Sequence, residues 1–192
     1  MKKTRIRSFQ QDIQALHRVL QADMTKRWSR DLPMSELLFD RWERAKHLGF
    51  GTQSSIYHNS YVYGDVAVGH HTWIGPFTLL DGSGRLTIGS YCSISAGVQI
   101  YTHDSVSWAL SGGRQPYEHA PVKIGDCTFI GSQVVIRKGV EIGDHCVIGA
   151  GSFVTASVPS YTIAAGTPCR RIGRVVLNKD GKPRLVYSTR RA

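Results

Sequence analysis

A six-residue period of branched apolar residues runs through most of the chain and leaves it few folds. Ile56, Val62, Val68, Ile74 and Leu80 lie six apart. The frame slips by two residues at Asp81-Gly-Ser-Gly84 and resumes at Ile88, Ile94 and Ile100; Ile124, Ile130, Ile136, Ile142, Ile148 and Val154 then follow unbroken. Two residues before the anchors stand small or β-branched residues, among them Thr72, Cys92, Thr128, Val134 and Cys146, and glycine follows the anchor at 69, 75, 89, 125, 131, 143 and 149. Six residues are too few for a helix and its turn. The alternation instead marks a short strand ended by a turn, with two residues facing inward and glycine where a Cβ would be strained. Three such strands close a coil, and stacked coils satisfy one another's backbone groups as parallel ladders. The fourteen anchors predict a mainly β chain whose body, residues 51–174, is a parallel β-helix of four to five coils.

The flanks differ. Ile6, Phe9, Ile13, Leu16 and Leu20 form one stripe of a helix, and a second helix is predicted from about Pro33 to Leu48, with Leu38, Trp42 and Ala45 on one face. The first stripe is expected to pack on the protein's own surface; a membrane-surface helix is the alternative, disfavoured because Asp12, Asp23 and several Gln dilute its basic face. The domain reading is thus a helical segment over 1–50, the repeat body, and a C-terminal hairpin or tail over 175–192, where Val175–Leu177 and Arg184–Tyr187 flank a Gly turn.

Composition matters here through charge. The formal net charge of +10 suggests a nucleic-acid partner until it is divided along the chain. Residues 1–50 hold 11 Lys and Arg against 6 Asp and Glu, residues 170–192 hold 8 against 1, and the body between them holds 5 against 7. The basic ends lack interleaved aromatics, so no nucleic acid is expected. No apolar run approaches the roughly 18 residues of a membrane span, and the N-terminus lacks the apolar core of a signal peptide; a cytoplasmic protein without stable membrane insertion is expected. Cys92, Cys127, Cys146 and Cys169 show no CxxC spacing and read as free thiols, Cys92 and Cys146 filling small inward slots.

Four segments carry a resemblance: Ile100-Tyr-Thr-His103, Pro121-Val-Lys-Ile-Gly-Asp126, Ile148-Gly-Ala-Gly-Ser-Phe-Val-Thr155 and Ile163-Ala-Ala-Gly-Thr-Pro-Cys-Arg170. Over about residues 56–174 the chain resembles the bacterial hexapeptide-repeat acyltransferases, and within them the galactoside, maltose and surface-polysaccharide O-acetyltransferases. The resemblance implies a left-handed β-helix, acetyl-CoA as acyl donor, a saccharide acceptor, and a homotrimer with sites between subunits. Its nearest variant in chemistry acetylates an amino group of an amino sugar, nucleotide sugar or drug. A different class, the zinc β-helices of carbonic-anhydrase type, needs three converging histidines; His70, His71, His103, His119 and His145 show no spacing that supplies them, and no metal is expected.

The residues suggest how such a site is divided. The one long break in the period, Tyr101 to Pro121, concentrates polar chemistry in an otherwise regular body. His103 in this loop matches the family's catalytic histidine, and a base titrating near neutrality suits proton removal from an acceptor hydroxyl. Glu118 or Asp104 is expected to orient it. Asp81, at the register slip, matches an acceptor-binding aspartate, and Trp108 and Phe129 are expected to wall the acceptor. Gly131, Ser132, Ala150 and Gly151 offer backbone to the pantetheine arm of coenzyme A, with Thr155 beyond them, while Arg170, Arg171 and Arg174 suit its phosphates. The sequence departs from the family pattern at Trp73-Ile-Gly-Pro76, which lacks an asparagine, at Phe129 in place of a tryptophan, and at Ala156 and Gly173 in place of basic residues.

Overall fold

The computed structural model describes residues 2–188 and shows how the six-residue period becomes a wall. Most hexads contribute a two- or three-residue strand, while Tyr61–Val68 and Leu79–Ile88 each run through two hexads and pair with one another. Strands about eighteen residues apart, or further where the chain makes its long excursion, pair in parallel on three faces. On the first face the rungs are Ser55–Ile56, Trp73–Ile74, Ser93–Ile94, Phe129–Ile130, Val147–Ile148 and Thr162–Ala165. The second stacks Leu79–Leu80 on Gln99–Ile100, Val135–Ile136 and Phe153–Val154, and the third stacks Leu86–Ile88 on Val122–Ile124 and Glu141–Ile142. The solenoid therefore has about six turns, more than the four to five expected. The extra turn comes from Thr162–Ala165, which stacks on the wall although Ile163 lies nine residues after Val154, outside the hexad frame.

The interior is one column of aliphatic side chains. Ile56, Ile74, Leu80, Ile94, Ile100, Ile130, Ile136, Ile142, Ile148 and Val154 are completely buried. Hydroxyl and thiol side chains line the corner that enters the first face, and they face the carbonyls of the following coil. Ser54 Oγ donates to Gly69 O at 2.7 Å, Thr72 Oγ1 to Gly89 O at 2.8 Å, Cys92 Sγ to Gly125 O at 3.1 Å and Thr128 Oγ1 to Gly143 O at 3.0 Å. Burial raises the Cys92 thiol to about 11 and raises Cys146 as well, which keeps both protonated.

The glycines after the anchors have a cause other than the expected turn strain. Gly69, Gly89, Gly125 and Gly143 do not adopt positive φ; that conformation falls two residues later, on His71, Tyr91, Cys127 and His145. What they provide is space. Ser90, Asp126, Asp144 and Ser160 fold back over the preceding coil, where Asp126 Oδ1 accepts from Ser90 N at 2.7 Å and Asp144 Oδ1 from Asp126 N at 2.8 Å. A Cβ on Gly89 would stand 2.3 Å from Asp126 Oδ1, and one on Gly125 would stand 2.2 Å from Asp144 Oδ1. The glycine row and the capping row are one device.

Three helices precede the solenoid: α1 (Lys2–Trp28), α2 (Met34–Leu38) and α3 (Arg41–His47). The single helix expected from Pro33 to Leu48 is thus two, because Asp40 interrupts it and caps α3 by accepting from Trp42 N at 2.7 Å and Glu43 N at 3.0 Å. Arg44 secures α3 to the first coil by donating to the carbonyls of Tyr57 and Ser60. The stripe of α1 is not covered by its own chain: Ile6 is 66%, Phe9 63% and Leu16 45% exposed. The helix meets α2, and its Met24 and Trp28 line a small cavity with Phe39, Trp42 and Tyr57. At the other end Arg170–Leu177 folds back antiparallel on Thr162–Ala165, and Pro183–Tyr187 pairs with it in turn, so the hairpin extends the first face and begins five residues earlier than expected.

These contacts give a stability prediction. Gly125→Ala must displace the Asp144 carboxylate and press on the backbone of Gly143, and is expected to cost about 1–3 kcal/mol. Lys123→Ala, on the strand just before Gly125 but facing solvent, is expected to stay within about 0.5 kcal/mol. Thermal unfolding of the two variants beside the parent checks the difference.

Candidate active site

The long break in the period folds into a compact excursion rather than an open loop. His103–Asp104 and Glu118–His119 form a two-residue antiparallel ladder, with a short helix α4 (Val106–Leu110) at its far end. Because Leu80 pairs with Ile100, the register slip after Leu80 lies directly beside the point where the chain leaves the coil at Tyr101. The slip adds two residues relative to the preceding coil, where Gly64 pairs with Gly82 and Val66 with Leu86. The resulting bulge places Asp81 under Thr102 and His103.

Asp81 is 1% exposed and fully occupied. Its Oδ1 accepts from Ser83 N at 3.0 Å and Ser83 Oγ at 2.5 Å, and its Oδ2 accepts from Thr102 N at 2.8 Å. His103 Nδ1 lies 2.7 Å from the same Oδ2. Burial alone would raise the Asp81 pKa, but the hydrogen bonds from Ser83, Thr102 and His103 outweigh it and hold the carboxyl well below the usual carboxylate range. An ionised carboxylate only accepts, so Nδ1 carries a proton, and in the neutral form of the ring the lone pair is on Nε2. The imidazole, about one-third exposed, is also fixed by rings: Tyr117 stacks at 6.0 Å between centroids and His119 at 5.7 Å, and Trp108 meets Tyr117 edge-on at 5.7 Å.

This arrangement redistributes the residues expected from the sequence. The carboxylate on His103 is Asp81; Glu118 and Asp104 instead converge on Lys138, whose Nζ lies 2.5 Å from Glu118 Oε2 and 3.0 Å from Asp104 Oδ2. Both carboxyl groups are held below their ordinary values, chiefly by the hydrogen bond from Lys138. Asp81 has no free oxygen edge to offer an acceptor. Trp108 stays with the histidine through Tyr117, but Phe129 lies on the first face, and the aromatic ring in the groove beside His103 is Phe153, together with Tyr101, Val135 and Arg137. Ser83, Thr102, Tyr117 and Lys138 are new to the site. The slip was a visible signal for Asp81 and Ser83, whereas nothing in the local sequence singles out Lys138.

The residues proposed for coenzyme binding occupy the second corner and the terminal hairpin. Gly131 is buried, and a Cβ there would stand 2.5 Å from Ala150 N, so stacking accounts for that glycine; a Cβ on Gly151 would meet nothing within 4 Å. Ser132 and Ala150 are exposed beside it, and Thr155 is half-buried just after Val154. Arg170, Arg171 and Arg174 are exposed on the strand paired with Thr162–Ala165, opposite Ala165, Ala164 and Thr162. Cys127 and Cys169 are free, their thiols raised by burial. Among the described residues no three His, Cys, Asp or Glu side chains converge as metal ligands. His71 and His145 instead stack on Tyr91 and Tyr161 along one corner.

A solenoid of hexapeptide repeats, interrupted once to present a histidine held by a buried aspartate, defines a class that comparison with known proteins makes concrete. Residues 121–156 match the family model described as bacterial transferase hexapeptide (six repeats). Galactoside O-acetyltransferase of Escherichia coli (strain K12) is 38% identical over 101 residues, covering 47% of this chain and 49% of that protein. A 2,3,4,5-tetrahydropyridine-2,6-dicarboxylate N-acetyltransferase of Staphylococcus aureus (strain Newman) is 35% identical over 89 residues, covering 46% and 37%. The chain thus spans about half or less of the length of these relatives. Among solved structures, a galactoside acetyltransferase in complex with coenzyme A superposes with a TM-score of 0.62 at 25% identity, covering 85% of this chain and 80% of that one. Residues 121–156 thus carry the repeats of the bacterial transferase hexapeptide family, and the chain is similar over its repeat body to acetyltransferases built on them.

The buried aspartate gives a pH prediction. Its folded-state pKa is depressed, so its contribution to stability is complete above the ordinary Asp value of about 4 and is lost as pH falls through the folded value. Asp81→Asn is expected to lower the thermal midpoint at pH 7, and its gap from the parent to narrow below about pH 4. Melting curves from pH 7 to pH 3 test this.

Proposed function

We propose that the protein is an acetyltransferase that moves an acetyl group from acetyl-CoA to a hydroxyl of a saccharide or polysaccharide precursor. The observation that carries the reading is the Asp81–His103 pair: an imidazole held through Nδ1 by a buried carboxylate, on the long excursion from the repeat wall. Acetyl-CoA supplies an acyl group activated as a thioester. His103 Nε2 removes the acceptor's hydroxyl proton as the oxygen forms its bond to the acyl carbon, and returns that proton to the departing sulfur. Asp81 holds the ring and stabilises the imidazolium between these steps. The oxygen that gains charge in this step needs hydrogen-bond donors such as backbone N–H groups. Arg170, Arg171 and Arg174 suit the donor's phosphates, and the exposed backbone at Gly151 with Ser132 and Ala150 suits its amide arm.

A homotrimer with sites between subunits completes the proposal. Phe129 and the three arginines lie on the first face and its extension, away from the groove beside His103, so a second copy is the natural source of them for each histidine. The proposal places this chemistry in the cytoplasm; no helix among the described residues is long and apolar enough to cross a membrane. Acceptance of an amino group instead of a hydroxyl is the second reading, favoured by the Staphylococcus relative's name.

Release of free thiol from acetyl-CoA across a panel of a galactoside, maltose and an amino sugar linked to a nucleotide tests the reading. His103→Ala is expected to lower turnover by about 10²–10⁴-fold, and undiminished activity would remove His103 from the mechanism. Turnover on the amino sugar alone would select the second reading. Co-assembly of inactive His103→Ala chains with inactive Arg170→Ala/Arg171→Ala/Arg174→Ala chains is expected to regain part of the activity, because some sites then combine two intact contributions. No recovery would place all four residues of each site on one chain.

A further inference from the structure

Lys138 lies two residues past the core anchor Ile136, on the coil stacked against the one that His103 leaves. Its side chain is only 8% exposed, yet it is not spent on the solenoid. It reaches into the excursion and bonds one carboxylate from each strand of the hairpin, Asp104 at 3.0 Å and Glu118 at 2.5 Å. Those two residues are direct cross-strand partners, as are His103 and His119. A lone cation thereby ties both strands of the hairpin to the wall, one residue from the imidazole. The Ser107 hydroxyl, from α4, donates to the same Glu118 carboxylate, which draws the short helix into the clamp.

We infer that Lys138 is a positioning residue for His103: it seats the hairpin so that the imidazole meets Asp81, and it offsets the Asp104 and Glu118 charges that would otherwise bias the ring toward its protonated form. The inference deepens the acetyl-transfer reading and rests on His103 as the base. The charged and titratable groups around the imidazole are Asp81 beneath it, Tyr117 and His119 on its faces, Asp104 and Glu118 on the hairpin, and Arg137 and Lys138 on the coil. Lys138 is itself held more basic than an ordinary lysine, chiefly by the hydrogen bond to Glu118, so it stays charged at neutral pH. Removing it leaves two unbalanced carboxylates within a Debye length of the ring. Opposite charge favours the imidazolium, so less free base remains near neutral pH.

The test is a proton NMR titration of the His103 ring in the full chain, alongside pH profiles of kcat/KM for thiol release from acetyl-CoA. In Lys138→Met the ring's midpoint and the acid limb of the profile are expected to rise by about half a pH unit or more, with kcat lowered about tenfold or more. Lys138→Arg is expected to restore the parent midpoint. Asp104→Asn/Glu118→Gln, which keeps the lysine and removes its partners, is expected to shift the midpoint downward. That second arm reads the same coupling with opposite sign if Lys138→Met does not fold. Unmoved midpoints in folded variants would overturn the inference. The ring titration needs no turnover, so its outcome is separate from a failure of the acetyl-transfer reading, which would show as thiol release unaffected by His103→Ala.

Discussion

The separation of stacked coils by one strand spacing, about 4.8 Å, is the constraint on which the rest of this molecule depends. Parallel ladders on three faces fix that spacing, and the corners must fit within it. At the corner entering the first face they fit only because Gly69, Gly89, Gly125 and Gly143 leave room for Ser90, Asp126, Asp144 and Ser160 to fold down on the preceding coil. The same side chains satisfy backbone N–H groups that a tight corner would otherwise leave without partners. Steric room and hydrogen bonding are met by one pair of residues per turn. The aliphatic column inside then packs at a pitch it did not itself set.

Against so regular a wall, departures mark the candidate site. The two-residue slip at 81–84 bulges one coil, and the excursion after Ile100 leaves from the coil stacked upon it. Neither alone makes a site. Together they bring a buried carboxylate under an imidazole, with Thr102 and Ser83 satisfying the rest of the carboxylate. The energetic logic is that of any buried charge: Asp81 remains ionised because every oxygen edge has a donor, and the ionised state fixes which ring nitrogen is free. Outside, Lys138 pairs with both Asp104 and Glu118.

Much of the fold was legible because a hexad repeat is a local statement. Ile136 is inward for the same reason as Ile130 and Ile142, and each anchor confirms its neighbours. The extra turn was missed because Thr162–Ala165 joins the wall by backbone pairing nine residues after Val154, with no anchor in frame. The split of the second helix was missed because Asp40 reads as an ordinary surface residue until its carboxylate is seen on two backbone N–H groups. In the candidate site, the motif and the position in the excursion single out His103 as a candidate. Its partner was assigned to nearby Glu118 or Asp104, since sequence proximity is the only measure of distance a sequence provides. Asp81 is 22 residues away but one coil distant.

The sequence by itself determined the architecture and where it would be interrupted, because a six-residue period of inward Ile, Leu and Val can bury its apolar side only by coiling and stacking. It also singled out His103 and the arginines at 170, 171 and 174 as candidates for the chemistry. The tertiary structure alone decided which carboxylate meets which cation or imidazole, and which glycines leave room for a neighbouring coil rather than for a ligand. Those relations run across the stack, between residues a full coil or more apart in sequence. They depend on the register of the ladders, which a two-residue slip shifts and no local pattern of residue types records.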